Sequence, residues 1–200
     1  MTTGAAAASS IERQRSLLLL VDLQERLVPA IHDFESLFQR VAALIEGAKR
    51  LEVPIAFTEQ APEGLGPTLP LARGLAPDAI VLEKLHFCAV AEPANLAALR
   101  AYGRPQVVLA GTESHVCVLQ TALGLLREGF ELFLVTDAVG SRQPEDRARA
   151  IERLTGAGAI PVTTEMVLFE WLAASDHEAF RPLLAQIKAL GPASQDRPTG

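Results

Sequence analysis

The chain has 200 residues, 49% of them apolar and 21% charged, enough apolar material to bury one substantial core and far from the composition of a disordered segment. A formal net charge of -6 without any cluster of Lys and Arg side chains argues against nucleic acid as a partner. Two cysteines, Cys88 and Cys117, are too few for an oxidised scaffold of this size and point to a reducing, cytoplasmic setting.

Residues 1–14 lack a basic segment followed by a long apolar run, so they read as an unstructured tail, and no stretch of the chain reads as a membrane span. Leu17 to Asp22 is an apolar run ending in an acid, the pattern of a strand buried on both faces that delivers Asp22 at its carboxyl end. Leu37, Val41, Leu44, Ile45 and Ala48 recur at helical spacing between Phe34 and Leu51. A second strand is expected over Val53 to Thr58. Glu59 to Arg73 then holds Pro62, Gly64, Gly66, Pro67 and Pro70, too many breakers for regular structure, and reads as a functional loop.

Ala79 to Glu83 suits a short strand before Lys84, and Pro93 to Ala101 a helix with proline in its first turn. Gln106 to Ala110 is another buried strand. The sequence GTESHVC turns the chain sharply into a helix over Val118 to Glu128, with Leu119, Ala122, Leu123 and Leu126 on one face. Phe130 to Thr136 reads as a strand ending at Asp137, Glu145 to Thr155 as an amphipathic helix, Ala159 to Thr163 as a last strand and Thr164 to Ala174 as a helix. Strands alternating with helices imply a three-layer α/β/α sandwich around a mostly parallel sheet, with ligands bound beyond the strands' carboxyl ends. The expected organisation is one domain over 15–190 and a second disordered tail over 191–200. Apolar surface on the covering helices is consistent with a homo-oligomer.

Three residues stand where chemistry could be done. Cys117 lies at a strand-to-helix junction, where free amides and the helix dipole favour a thiolate. A cysteine is more often a small buried hydrophobe, a strand-end Asp22 could merely cap, and Lys84 beside Glu83 could be a solvated pair. Taken singly, each of these readings stays open. Cys88, four residues after Lys84, could be a resolving thiol or a buried one. Asp137 and Ser141-Arg142 are assigned to loop fixation. His32, His86, His115 and His177 are scattered without ligand spacing, so no metal is expected.

The run GTESHVCVLQTALGLLREGFELFLVTDAVGSR, Gly111 to Arg142, resembles the signature of isochorismatase-like hydrolases, especially members of unassigned substrate. LLLLVDLQERL (Leu17–Leu27) and VLEKLHFCAV (Val81–Val90) match in the right order, as do EQAPEGLGPT and TTEMVLFEWL, so the resemblance runs from about Leu17 to Ala185. It implies a triad of Asp22, Lys84 and Cys117, with Cys117 as nucleophile, Asp22 as proton shuttle and Lys84 polarising and orienting. It also implies a cis peptide between Thr112 and Glu113, with the amides of Glu113 and Cys117 forming an oxyanion hole and glycine at 111 permitting close approach. The reaction it implies is acyl transfer from a small amide to Cys117 and hydrolysis of the thioester, without a cofactor. Gln24, Glu59, Gln60, Phe87 and His115 are the candidates for pocket walls, with His115 assigned a structural hydrogen bond. Nicotinamidases of the superfamily carry an Asp-x-His motif where this chain reads FTEQAPEG, which disfavours that activity. Two other readings compete: a thiol-based redox sensor using Cys88, and a non-catalytic oligomeric interaction module.

Overall fold

Residues 10–190 are described in a computed structural model of the chain; residues 1–9 of the expected N-terminal tail and the whole expected tail over 191–200 lie outside them. The strands are β1 (Ser16–Val21), β2 (Ile55–Gln60), β3 (Ile80–Lys84), β4 (Gln106–Thr112), β5 (Glu131–Gly140) and β6 (Ile160–Val162). The helices are α1 (Phe34–Arg50), α2 (Pro62–Leu65), α3 (Pro70–Leu75), α4 (Pro93–Ala101), α5 (Leu119–Arg127), α6 (Pro144–Gly156), α7 (Thr164–Leu172) and α8 (Phe180–Ala189). Among the described residues no helix is long and apolar enough to cross a membrane.

The strands form one parallel sheet in the order β3-β2-β1-β4-β5-β6. Successive side chains of a strand point to opposite faces, and the burial follows that period. Leu18 and Leu20 of β1 join one apolar cluster with Val41, Leu44, Val167, Trp171 and Leu183. Leu17, Leu19 and Val21 join a second with Leu99, Val118, Ala122, Leu125 and Leu154. Helices α1, α7 and α8 therefore cover one face and α4, α5 and α6 the other, which is the predicted three-layer sandwich. The chain winds outward from β1 to β3 and then returns to β4 on β1's other side, so a switch point falls between β1 and β4. A crevice at the strands' carboxyl ends opens at such a point.

The two central strands approach closely there. Gly111 pairs with Val21, sits at φ 117°, and a Cβ added to it would overlap the Val21 carbonyl oxygen. Both the conformation and the space require glycine. Gly111→Ala is expected to cost at least about 2 kcal/mol of stability, measurable as a lower denaturation midpoint with an unchanged slope.

Several expectations are corrected. Residues 10–14, expected within the N-terminal tail, are held against the domain: Ile11 is buried, its amide donates to Glu170 Oε2, and the Gln106 side chain holds both Glu12 N and Ser10 O. Glu59 to Arg73 is not one irregular loop, because each of its first-turn prolines starts a short helix, α2 or α3, as proline readily does. Strand β2 runs two residues past Thr58, to Gln60. Asp137 lies inside β5 rather than after it, and accepts from Thr164 N and Oγ1 while facing Arg40. Helix α8 was unpredicted: Pro182 reads as a breaker, but in the first turn it removes an amide that needs no helical partner, and Leu183 and Ile187 bury that helix's inner face.

Candidate active site

Asp22 is the first residue after β1 and takes a left-handed conformation, φ 49°. Short polar side chains tolerate that region better than most. Its amide donates to Thr58 O at 3.1 Å, and the Thr112 hydroxyl donates to its carbonyl at 2.7 Å. The carboxylate is fully buried with both oxygens engaged: Thr58 Oγ1 donates to Oδ1 at 2.5 Å and Lys84 Nζ to Oδ2 at 2.8 Å.

Lys84 ends β3, two strands away from β1, and reaches across β2 to make that contact. Its side chain is fully buried, so the pairing is not the solvated surface kind. Gln60, at the end of β2, accepts a second Nζ hydrogen bond at 2.8 Å, and its own amide donates to Leu85 O. Cys117 comes from the third direction. After β4 the chain enters a π-helical turn, Ser114–Val118, that runs directly into α5. Cys117 sits in this turn, 4% exposed, with its sulfur within hydrogen-bonding reach of both Asp22 and Lys84. The peptide between Thr112 and Glu113 is cis.

Burial works against the thiolate that the helix start favours. Burial pushes the Cys117 thiol up to about 12, the negative charge of Asp22 adds to the rise, and Lys84 opposes it without overcoming it. Loss of water outweighs the helix terminus and the ammonium. The fold thus favours the protonated thiol over its ordinary value of 9.0. That contribution to stability is complete below about 9 and is lost as pH climbs toward about 12.

The candidate wall residues are placed differently from one another. Gln24 is fully buried and clamps the chain, accepting from Gln60 N and donating to Gln60 O and Gly66 O. Glu59 points to the other face of β2, where it accepts from Thr68 N and Oγ1. Gln60 touches Lys84 itself. Phe87 is half exposed on the loop after Lys84, and His115 bonds Ser141 Oγ through Nδ1 at 3.0 Å. Glu113 is held by Arg142, which places that residue in the fixation of the turn before Cys117. Among the described residues no three His, Cys, Asp or Glu side chains converge as metal ligands.

Cys88 is half-buried, and its sulfur packs against Gly124 on α5. Gly124 lies seven residues beyond Cys117, about 10 Å along a helix at its usual rise. Both thiols are free. The polar residue missed in the sequence is Thr58. The expected strand stopped there, and only a β2 running to Gln60 puts Thr58 and Gln60 on one face of the strand's end.

Residues 16–166 match the Isochorismatase domain family. The chain is 38% identical over 179 residues to isochorismatase domain-containing protein 1 of Danio rerio, covering 90% of this chain but only 63% of that protein. Among solved structures it is similar to the MAR1 ribonuclease of Caenorhabditis elegans, with a TM-score of 0.88 and 32% identity over 96% of this chain and 100% of that one. It is also similar to YcaC of Pseudomonas aeruginosa, solved with hexane-2,5-diol and covalent acrylamide, with a TM-score of 0.86 and 28% identity over 93% and 96% of the two chains. The YcaC protein of Escherichia coli, described as an octameric hydrolase of unknown specificity, gives a TM-score of 0.79 and 29% identity over 91% and 98%.

Proposed function

The chain belongs to the isochorismatase-like hydrolases, and from that premise we propose that it is a cysteine hydrolase acting on small amides through a thioester on Cys117. The observation that carries this reading is the meeting of a buried carboxylate and ammonium 2.8 Å apart with a buried thiol in reach of both, at the carboxyl edge of the sheet.

The resting thiol fixes the order of events. As the sulfur attacks the amide carbonyl, its proton passes to Asp22, so the cluster stays neutral and no free thiolate accumulates. The amides of Glu113 and Cys117 take the negative charge on the carbonyl oxygen. Collapse breaks the carbon–nitrogen bond, and Asp22 returns the proton to the leaving nitrogen. Water then attacks the thioester and gives a proton to Asp22, which passes it to the departing sulfur, so that the acid is released and the thiol and carboxylate are restored. Lys84 meets Asp22, Gln60 and the sulfur, three acceptors for three donors. Its part is to hold the carboxylate and steady the developing thiolate, while the backbone binds the substrate oxygen.

The test is ammonia release from a panel of small primary amides, with Cys117→Ala as control. Release that Cys117→Ala abolishes supports the reading, and release that survives in Cys117→Ala refutes it. The description of the nematode relative as a ribonuclease stays with that protein. The net charge of -6 and a fully enclosed, paired Lys84 offer nothing to a phosphate backbone.

Two further parts of the reading concern setting and assembly. Free Cys88 and Cys117 suit the reducing cytosol. Leu85 and Phe87 stand 78% and 50% exposed just beyond Lys84, apolar surface of the kind that subunits cover, and we place this chain in a homo-oligomer as described for its E. coli relative. Sedimentation is expected to show an assembly well above the 21.4 kDa chain mass, and Leu85→Lys with Phe87→Lys to shift it toward smaller species.

A further inference from the structure

Strand β2 lies between the strands that supply Asp22 and Lys84, so its last residues pass beneath their ion pair. Thr58 and Gln60 sit two apart on β2, and both engage the pair, one at the carboxylate and one at the ammonium. The Thr58 contact is the more specific. Its hydroxyl is fully buried and accepts from Asp22 N at 3.3 Å, which directs its only hydrogen to Asp22 Oδ1 at 2.5 Å. The carboxylate is thereby pinned at one oxygen, and the other is left to Lys84.

We propose that Thr58 is a positioning residue for the proton transfer, fixing the Asp22 carboxylate by one oxygen in the orientation in which it takes the thiol proton of Cys117. This rests on the hydrolase reading above, since the fixed orientation has a purpose only if Asp22 receives the thiol proton. The carboxylate is held from β2 by the Thr58 hydroxyl and from the end of β3 by Lys84, while Thr112 of β4 holds the Asp22 main-chain carbonyl. With the hydroxyl in place the carboxylate has one orientation beside the sulfur. Without it the carboxylate turns more freely.

The probe is acrylamide, which adds across its double bond so that the sulfur binds the terminal carbon and the thiol proton ends on the α-carbon. The rate of Cys117 modification at pH 7 is followed by peptide mass spectrometry, which keeps any reaction at Cys88 separate. Thr58→Val is expected to slow that modification by about 10 to 100-fold, the size of one hydrogen bond to a charged group. Thr58→Ser, which keeps the donor, is expected to restore the rate. Thr58→Ala removes the same hydroxyl and carries the comparison if the valine variant does not fold. A rate unchanged in Thr58→Val or Thr58→Ala overturns the role of Thr58 and leaves the hydrolase reading standing. Ammonia release from an amide that survives in Cys117→Ala overturns that reading itself.

Discussion

Asp22→Asn is expected to lower amide turnover by about 10² to 10⁴-fold while making Cys117 easier to ionise. The two effects have opposite signs because Asp22 does two things to the sulfur. Its negative charge is, after burial, the largest cause of the raised thiol pKa, so an uncharged amide in its place brings thiol ionisation down from about 12 toward the ordinary 9.0. If the enzyme worked through a preformed thiolate, that change would speed it. In the mechanism derived from this geometry the carboxylate accepts the proton during attack and returns it to the leaving nitrogen, and asparagine can do neither. Thiolate absorbance titrated against pH, alongside kcat, separates the two: a lower titration midpoint together with lost turnover is the expected pair.

Lys84→Met is expected to destabilise the folded chain by about 3 to 5 kcal/mol, the usual cost of leaving one partner of a buried ion pair alone. Methionine matches the length of the lysine stem and fills its space, so packing is largely kept. What is lost is the counter-ion of a carboxylate that no water reaches, together with the acceptor role of Gln60 Oε1. Combining Lys84→Met with Asp22→Asn is expected to recover much of that loss, because the pair is then replaced rather than broken. Thermal unfolding reads this directly: a domain of this size shifts by roughly 2 to 4 °C per kcal/mol, so the single variant falls by about 10 °C and the double variant stays nearer the parent.

Much of this arrangement was legible in the sequence, and the reasons differ by residue. The sheet could be read because fully buried strands such as Leu17–Val21 and Gln106–Ala110 are nearly continuous apolar runs, and the first is closed by Asp22, which marks the carboxyl edge. Asp22, Lys84 and Cys117, which the structure brings together, could be singled out because their motifs occur in the family's order, not because any one of them is distinctive alone. The surroundings of the Cys117 sulfur were not legible. Its position at a helix start argues for a thiolate, and the extent of burial, which depends on every layer closing over the site, pushes the other way.

Thr58, Gln24 and Glu59 show a second limit. All three are polar residues near strand ends, and a sequence cannot say which polar atoms the chain keeps for itself. The structure gives Gln24 and Glu59 to the loops after β1 and β2, holding the main chain of Gln60, Gly66 and Thr68, and gives Thr58 to the carboxylate. The polar atoms of a buried strand end must find partners, but the identity of the partner is a property of the three-dimensional arrangement.

The central claim is that Cys117 carries the acyl group. Protein quenched in acid during turnover of an amide, then digested and weighed by mass spectrometry, tests it most directly: the account predicts the acyl mass on the peptide containing Cys117, vanishing when substrate is exhausted. Steady turnover with that peptide unmodified throughout, and undiminished turnover in Cys117→Ala, would contradict it.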